Sequence, residues 1–468
     1  MKEYQLFIDG KWTAGAEDRW IEVENPATKE IIGKVPRGNA EDVDRAVAAA
    51  RAAAESWAAK APHERSEFLR KLSEVIEKRK DEFCTTISSE LGIPLKYAFD
   101  YHVSGAIREA KYFADMCENF EYEQKTDCGM IRREPFGVVA GITPWNYPLD
   151  QATFKLFAAM AAGNTVVLKP SQNAPLCCCI LAEAIEEAGF PNGVFNLVTG
   201  AGGEVGNAIA LHEGIDALSF TGSTSGGIEV GKLALSTVKK ITLELGGKSP
   251  LVVLEGADLE AAVADACSSA FMNTGQTCCA YTRMLIPEAK KDEIEALLKA
   301  EAEKYITGDP LDPETEVGPL ISEKAFNKVK GYIEKGIAEN ARLIAGGVPE
   351  NCDKGYYVNP TIFSDVSNDM TIAREEIFGP VLAVIPYKTE EEALAIANDT
   401  NYGLYGAVYG EPAAALEFAK KIKAGGVHVN GAGGGVDMPF GGYKQSGIGR
   451  EGGTFGFEDF LEIKALCY

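Results

Sequence analysis

The chain of 468 residues has no apolar run approaching the roughly 18 residues of a membrane span. Its opening stretch, Met1 to Gly10, lacks the long apolar core of a signal peptide. No two of its 11 cysteines are spaced as Cys-x-x-Cys, and their number is odd. That disfavours a disulfide framework, a zinc ribbon and a thioredoxin-type site. Basic residues are scarce: 46 Lys and Arg stand against 69 Asp and Glu, a net charge of −23. Nucleic acid and anionic membranes are bound through basic patches, so neither is an expected partner. Internal repeats, low-complexity tails and long linkers are also missing. These absences leave a reducing cytoplasm as the expected location. The 46% of hydrophobic residues can fill large cores, and the length suggests about three units.

What is present reads as alternating strands and helices. Asn39 is a good N-cap with Asp42 at the capping-box position, and Val43, Val47, Ala50, Ala54 and Trp57 form one apolar stripe. A second helix is expected to carry Phe68, Leu69, Leu72, Ile76, Phe83 and Ile87 and to end near Gly92-Ile93-Pro94. From Gly137, short β-branched runs recur at 137–143, 165–169, 194–199, 217–221 and 239–245, starting roughly 22 to 29 residues apart. That is the period of βαβ units in a doubly wound parallel sheet, which binds ligands at the carboxyl ends of its strands. Asn146, Lys169, Gly222-Ser223 and Glu244 all fall at or just past such ends. A second α/β series passes through 251–254, 284–286, 381–385, 406–409 and 427–429. The strand-like stretches 120–133 and 457–466 fit neither series. Cys177-Cys178-Cys179 sits in a helical pattern, where consecutive side chains point about 100° apart and cannot converge on one ion, so these are packing residues.

Thr274-Gly275-Gln276-Thr277-Cys278 is the most informative stretch. A cysteine flanked by glycine and small polar residues is a poor core residue. A turn there can present the sulfur to a ligand while backbone N–H groups stabilise a thiolate. Most cysteines are small buried hydrophobes. Upstream, Glu244-Leu245-Gly246-Gly247-Lys248 reverses that preference, because Glu244 offers a base to activate water. Taken alone, Glu244 would be a solvated strand-end carboxylate, and Trp145-Asn146-Tyr147-Pro148 a strand-to-helix turn. Cys279 adjoins Cys278, and residue chemistry leaves either as the nucleophile. The Gly-x-Gly-x-x-Gly run at Gly447 to Gly452 has no βαβ unit around it and is expected to be a loop. Phosphate-loop patterns fail at Gly231-Lys232-Leu233 and at Gly247-Lys248-Ser249, which removes kinase and NTPase readings. What remains for a pyrophosphate is Phe220-Thr221-Gly222-Ser223, a strand end opening a helix.

Seven motifs in order carry a family resemblance: Thr143-Pro144-Trp145-Asn146-Tyr147-Pro148, Val167-Leu168-Lys169-Pro170-Ser171, Phe220-Thr221-Gly222-Ser223-Thr224, Glu244 through Pro250, Gly275-Gln276-Thr277-Cys278, Glu375-Glu376-Ile377-Phe378-Gly379-Pro380 and Pro439 through Gly447. Over essentially its whole length, the chain resembles the aldehyde dehydrogenase superfamily. The resemblance implies an α/β fold of two doubly wound parallel-sheet domains and a small oligomerisation sheet. Residues 1–118 and 136–246 would form a Rossmann-like NAD(P)-binding domain and 247–445 a catalytic domain. Segments 119–135 and 446–468 would build a homodimer or homotetramer.

The implied activity is oxidation of an aldehyde to the free acid with NAD or NADP. By the family motif Cys278 is the nucleophile, forming a thiohemiacetal and then a thioester. Asn146 and the Cys278 N–H would steady the oxyanion, and Glu244 would activate the hydrolytic water. Lys169 would hold the adenosine ribose and Glu376 the nicotinamide ribose, with Phe378 beside the nicotinamide. Ile142, Thr143, Trp145, Ser171, Gln172, Gly222, Ser223 and Gly246 complete the implied cofactor site. Tyr147, Asp150, Gln151, Phe154, Met272, Thr277, Cys279 and Phe440 would line the substrate tunnel.

Two departures qualify this picture. Gln172 stands where many NAD-dependent relatives place a glutamate, so dual use of NADP and NAD is expected. Met272 stands where relatives that take succinate semialdehyde can carry an arginine, and Asp150 adds negative charge. With the unbulky loop 431–436, these point to a neutral or weakly cationic aldehyde. A CoA-acylating relative would generally lack Glu244, and a catalytically idle one would usually have lost Cys278.

Overall fold

The computed structural model describes residues 2–468. The side chain of Asn39 accepts hydrogen bonds from the N–H groups of Glu41 and Asp42, and the Asp42 carboxylate accepts one from Asn39 N–H. This capping box starts helix Ala40–Ala58, whose Val43, Ala46, Val47 and Ala50 pack on a sheet. The expected second helix is two helices, Pro62–Lys78 and Lys80–Leu91, broken at Arg79. The Arg79 guanidinium is held at the break by Glu82 and Glu183. The second of the pair ends at Gly92, whose φ of 90° suits a left-handed C-cap.

The five strands expected from the first series are Val138–Ile142, Thr165–Lys169, Phe195–Leu197, Ala217–Thr221 and Lys240–Glu244. All pair in parallel, and in chain order they lie 5-4-1-2-3. The sheet grows to eight strands through Leu6–Ile8 and Lys11–Thr13 at one edge and Gly447–Ile448 at the other. Thus the Gly447 to Gly452 run is not wholly a loop. Its start pairs antiparallel with Leu243 and Glu244, and helix Gly453–Glu458 follows it. The antiparallel pairing still excludes a βαβ unit.

The second series forms a seven-stranded sheet in the order Arg342–Ala345, Thr361–Ser364, Val381–Tyr387, Tyr281–Pro287, Ser249–Val253, Tyr405–Tyr409, Gly426–Val429. Its first two strands escape the sequence reading. A three-stranded sheet joins Glu123–Thr126, Gly129–Pro135 and Leu461–Cys467, and another joins Lys2–Glu3, Trp20–Glu24 and Ile31–Pro36. Residues 457–466 are therefore not one strand, since helix Gly453–Glu458 overlaps their start.

Each large sheet is sandwiched between two apolar cores. Cys177, Cys178 and Cys179 are fully buried on helix Leu176–Ala188, whose first N–H groups are held by Glu90. No helix among the described residues is long and apolar enough to cross a membrane.

Candidate active site

The strand order of the first sheet reverses between Val138–Ile142 and Ala217–Thr221, which makes a crevice at their carboxyl ends. Register sets Ile142 opposite both Lys169 and Phe220, and Thr221 opposite Glu244. A cavity of about 440 Å³ opens at this edge. Trp145, Asn146, Tyr147 and Gln151 line one side of it. Gly222 and Ser223 line the other, with Gly246 beyond them. Cys278, Glu376 and Phe378 enter from the second sheet, where they precede strands Tyr281–Pro287 and Val381–Tyr387. The carboxyl-end rule therefore holds for the first sheet only. The second sheet contributes from its amino ends.

Glycine is required where backbone meets carboxylate. A Cβ at Gly246 would lie 2.5 Å from Glu376 Oε2, and Gly247 N–H donates to Glu376 Oε1 at 3.0 Å. Phe378 has a φ of 63° and meets the Trp145 ring edge-on at 5.4 Å. Ser223 Oγ caps helix Thr224–Ala234 by accepting from Gly226 N–H at 3.2 Å.

Cys278 owes its position to three successive left-handed residues, Asn273, Thr274 and Gly275, with φ of 50°, 58° and 70°. A β-branched residue at such a φ is strained and needs outside support. Thr274 Oγ1 donates to Gly318 O, and Gln276 Oε1 accepts from Ile321 N–H at 2.9 Å. Asn273 Nδ2 donates to Asn146 O at 2.8 Å, and Asn146 Nδ2 returns a bond to Gln276 O at 2.9 Å. Behind the sulfur, a Cβ at Gly247 would stand 2.4 Å from Cys278 O. The two motifs recognised in the sequence are thus in backbone contact. The Cys278 thiol is pushed up by its hydrogen bond with Cys279, by burial and by the carboxylates of Glu376 and Glu244. The Cys279 thiol is lowered by its hydrogen bond with Cys278, against burial and the Asp150 charge.

Glu244 is not a solvated carboxylate. It is 2% exposed, both oxygens lack a partner, and a Cβ at Gly441 would come within 2.5 Å of Oε1. Burial raises its pKa well above the carboxylate range, with the Glu451 charge adding to the shift. Lys155 Nζ and Ser219 Oγ hold Glu451 Oε1 at 2.5 and 2.9 Å. Sequence reading missed this trio, although Lys155 within the apolar helix Pro148–Ala162 was a signal. It also missed Asn173, Lys324 and Lys328 in the cavity wall. Both lysines lie within the first two turns of helix Glu323–Ala338, four residues apart on one face.

The remaining predicted residues lie off the cavity wall. Ile142 is in the core beneath it. Lys169 is buried, donates to Pro170 O at 2.7 Å, and is lowered to about 8 by burial. Thr143 Oγ1 is buried without a partner. Ser171 Oγ accepts from Asn173 N–H, and Gln172 is exposed beside it. Thr277 shares a 2.8 Å hydrogen bond with Tyr147, whose ring stacks on His102 at 4.8 Å. Phe440 stacks on Tyr405 at 5.5 Å, and Phe154 packs against Gly452. Asp150 packs on Gly105 and contacts Glu109, and burial raises it to about 6. Met272 lines a separate cleft.

The sequence pattern of the aldehyde dehydrogenase family matches residues 12–466. Among solved structures, aldehyde dehydrogenase C from Pseudomonas syringae, a mutant bound to NAD+ and octanal, superposes with a TM-score of 0.98 at 45% identity, covering 99% of this chain and 96% of that one. An aldehyde dehydrogenase from Mycobacterium tuberculosis bound to NAD+ gives 0.97 at 44% identity, over 100% and 98% of the two chains. A P. syringae indole-3-acetaldehyde dehydrogenase mutant, bound to NAD+ and IAA, gives 0.97 at 38% identity, over 100% and 96%. With residues 12–466 matched by the family pattern and 99% of the chain by structure, the chain belongs to the aldehyde dehydrogenase family.

Proposed function

We propose that this chain oxidises a neutral or weakly cationic aldehyde to the free acid, using NAD and also NADP, with Cys278 as nucleophile. One observation carries the reading: Cys278 and Asn146 share a cavity wall, and a buried, unpartnered carboxylate, Glu244, lies close enough to raise the thiol.

The residues present fit a nicotinamide dinucleotide. Thr143 and Thr221 carry buried hydroxyls without partners on the two sides of the crevice, and Gly246 leaves the approach to Glu376 free of a side chain. Gly222 and Ser223, at the start of helix Thr224–Ala234, suit a pyrophosphate, and Glu376 suits a ribose. Trp145 and Phe378 would flank the nicotinamide end, and Lys169, Ser171 and Gln172 the adenosine end. Such a cofactor supplies a hydride acceptor.

Cys278 attacks the aldehyde carbon once its proton has left. One Asn146 amide hydrogen is engaged with Gln276 O, which leaves the other to donate to the oxyanion beside the Cys278 N–H. Losing one such donor typically costs about 3 kcal/mol of barrier. After oxidation the acyl group is a thioester on Cys278. Glu244 takes a proton from water, and the resulting hydroxide releases the acid.

Residues 1–118 and 136–246 would serve as the cofactor domain and 247–445 as the catalytic domain. Segments 119–135 and 446–468, whose three-stranded sheet exposes Ile463 and Leu466, would build a cytoplasmic homodimer or homotetramer. NAD(P)H production from mixed aldehydes, with and without CoA, tests the reading. Production without CoA is expected, and an absolute requirement for CoA would replace Glu244 with an external thiol as the resolving group.

A further inference from the structure

Two lysines, Lys324 and Lys328, stand in the wall of the cavity that holds Cys278. They lie four residues apart on helix Glu323–Ala338, which Phe326, Val329 and Ile333 fasten to the second sheet. Lys324 is the second residue of that helix. The place is unfavourable for a cation, because unpaired N–H groups make the start of a helix positive. Two like charges at this spacing also repel. Other lysines of the chain have an acid three residues away to offset such terms: Lys290 with Glu293, Lys304 with Glu301 and Lys420 with Glu417. Lys324 has none, since the positions three and four residues to either side hold Leu320, Ile321, Asn327 and Lys328. Burial lowers Lys328, but the Glu376 and Glu375 charges and the Tyr332 ring, whose centre is 5.8 Å from its Nζ, support it. The cation placed against its own helix and without an acid on its face is therefore Lys324.

A second helix start lines the same cavity. Gly222 and Ser223 open helix Thr224–Ala234, which packs on the first sheet through Val230 and Ala234. Thr221, also in the wall, is 9% exposed, and its Oγ1 has no partner. A buried hydroxyl without a partner is costly. Two helix starts, a free hydroxyl and an unpaired lysine all call for an anion with several acceptor oxygens. In a nicotinamide dinucleotide that anion is the diphosphate.

We infer that Lys324 binds the diphosphate of the cofactor from the second sheet, while Thr221, Gly222 and Ser223 hold it from the first. The inference rests on the dinucleotide reading above and adds a residue that lies in none of the sequence motifs. It makes the bound cofactor a fastening between the two sheets, one that salt loosens.

The test is isothermal titration of NAD, NADP and ADP-ribose into wild type, Lys324→Met, Lys324→Arg and Lys335→Met. Lys335→Met removes an equal charge from the same helix outside the cavity wall, so it reports the general field. Lys324→Met should raise Kd for all three ligands by about threefold to tenfold and flatten its dependence on salt. Lys324→Arg should keep Kd within about twofold of wild type, because a guanidinium also binds phosphate. Lys335→Met should leave Kd unchanged. Equal Kd in wild type and Lys324→Met, or an equal rise in Lys335→Met, would overturn the inference. A rise for NADP alone would also overturn it, because the contact would then be with the 2′-phosphate. If the wild type bound neither dinucleotide, the dinucleotide reading would fail instead. ADP-ribose, which has the diphosphate without the nicotinamide, would then decide Lys324: the same rise in Kd supports the contact, and its absence rejects it.

Discussion

At the scale of single residues, the proposed function assigns the attacking thiol to the cysteine that shares a cavity wall with Asn146. Cys278 lies in the wall of the cavity that Asn146 also lines, whereas Cys279 is not part of that wall. Cys278→Ala should lose more than about a thousandfold in kcat and keep cofactor binding by fluorescence titration. Cys279→Ala should retain most of its turnover, and the reverse pattern would move the nucleophile by one residue. Glu244 carries the second residue-scale expectation. Its carboxyl is raised by burial and Glu451, and only the carboxylate can take a proton from water. Turnover should therefore fall as pH drops through that raised value and be complete above it. In Glu244→Gln this acid limb should vanish, with a burst of NAD(P)H, slow steady state and acyl-enzyme visible by intact mass. Normal steady-state turnover would remove Glu244 from the role of base. Cofactor choice is also a one-residue matter. A carboxylate at position 172 would repel a 2′-phosphate by roughly 1 kcal/mol in water and about 4 kcal/mol at an effective dielectric of 20, for charges about 4 Å apart. Because Gln172 is exposed, the smaller figure applies. Gln172→Glu should depress kcat/KM with NADP severalfold and leave NAD nearly unchanged. An unaltered NADP/NAD ratio would make Asn173, which is in the cavity wall, the residue to examine.

At the scale of elements, the turn from Asn273 to Gly275 is the device that presents the sulfur. A Cβ at Gly275 would meet Gly379 O at 2.2 Å, and its φ of 70° disfavours any side chain. Gly275→Ala should cost more than about 1 kcal/mol of stability. It should lower kcat/KM further than its melting temperature alone explains. Wild-type kinetics in a folded variant would show that the turn does not position Cys278. What was legible in the sequence follows the same physics. Capping at Asn39 and the five parallel strands are local signals of side-chain type and period, and they stand where expected. The break at Arg79 was not legible, because the apolar stripe continues across it and only the distant Glu183 gives it a reason. Strand Thr361–Ser364 was missed because four residues are too few to show alternation. The catalytic candidates were legible because they sit in motifs. Their surroundings were not: Lys155, Ser219 and Glu451 are far apart in sequence and meet only when helix Pro148–Ala162 packs under the first sheet.

At the scale of the molecule, the net charge of −23 sets a field that every substrate must cross. Around the catalytic turn the carboxyls of Glu244, Glu376, Asp150 and Glu109 are pushed toward their neutral forms by burial, and Glu301 and Glu316 in the neighbouring cleft are paired with Lys304 and Lys96, so the repulsion is that of the whole surface. Against them stand Lys324 and Lys328 in the main cavity wall, and burial lowers Lys328 while Glu376 sustains its charge. No arginine lines either cleft, and Met272 offers only a thioether. An aldehyde carrying a carboxylate therefore meets repulsion on approach and no fixed donor fork at its far end. Succinate semialdehyde should be oxidised with a kcat/KM at least about tenfold below that of pentanal, because one unpaired like-charge contact near a protein surface is worth a few kcal/mol. Part of the penalty is long-range, so the gap should narrow as ionic strength is raised, while the pentanal value stays flat. Equal kcat/KM for the two at low salt would mean that Lys324 or Lys328 reaches the bound carboxylate. Lys324→Met and Lys328→Met would then identify which of them does.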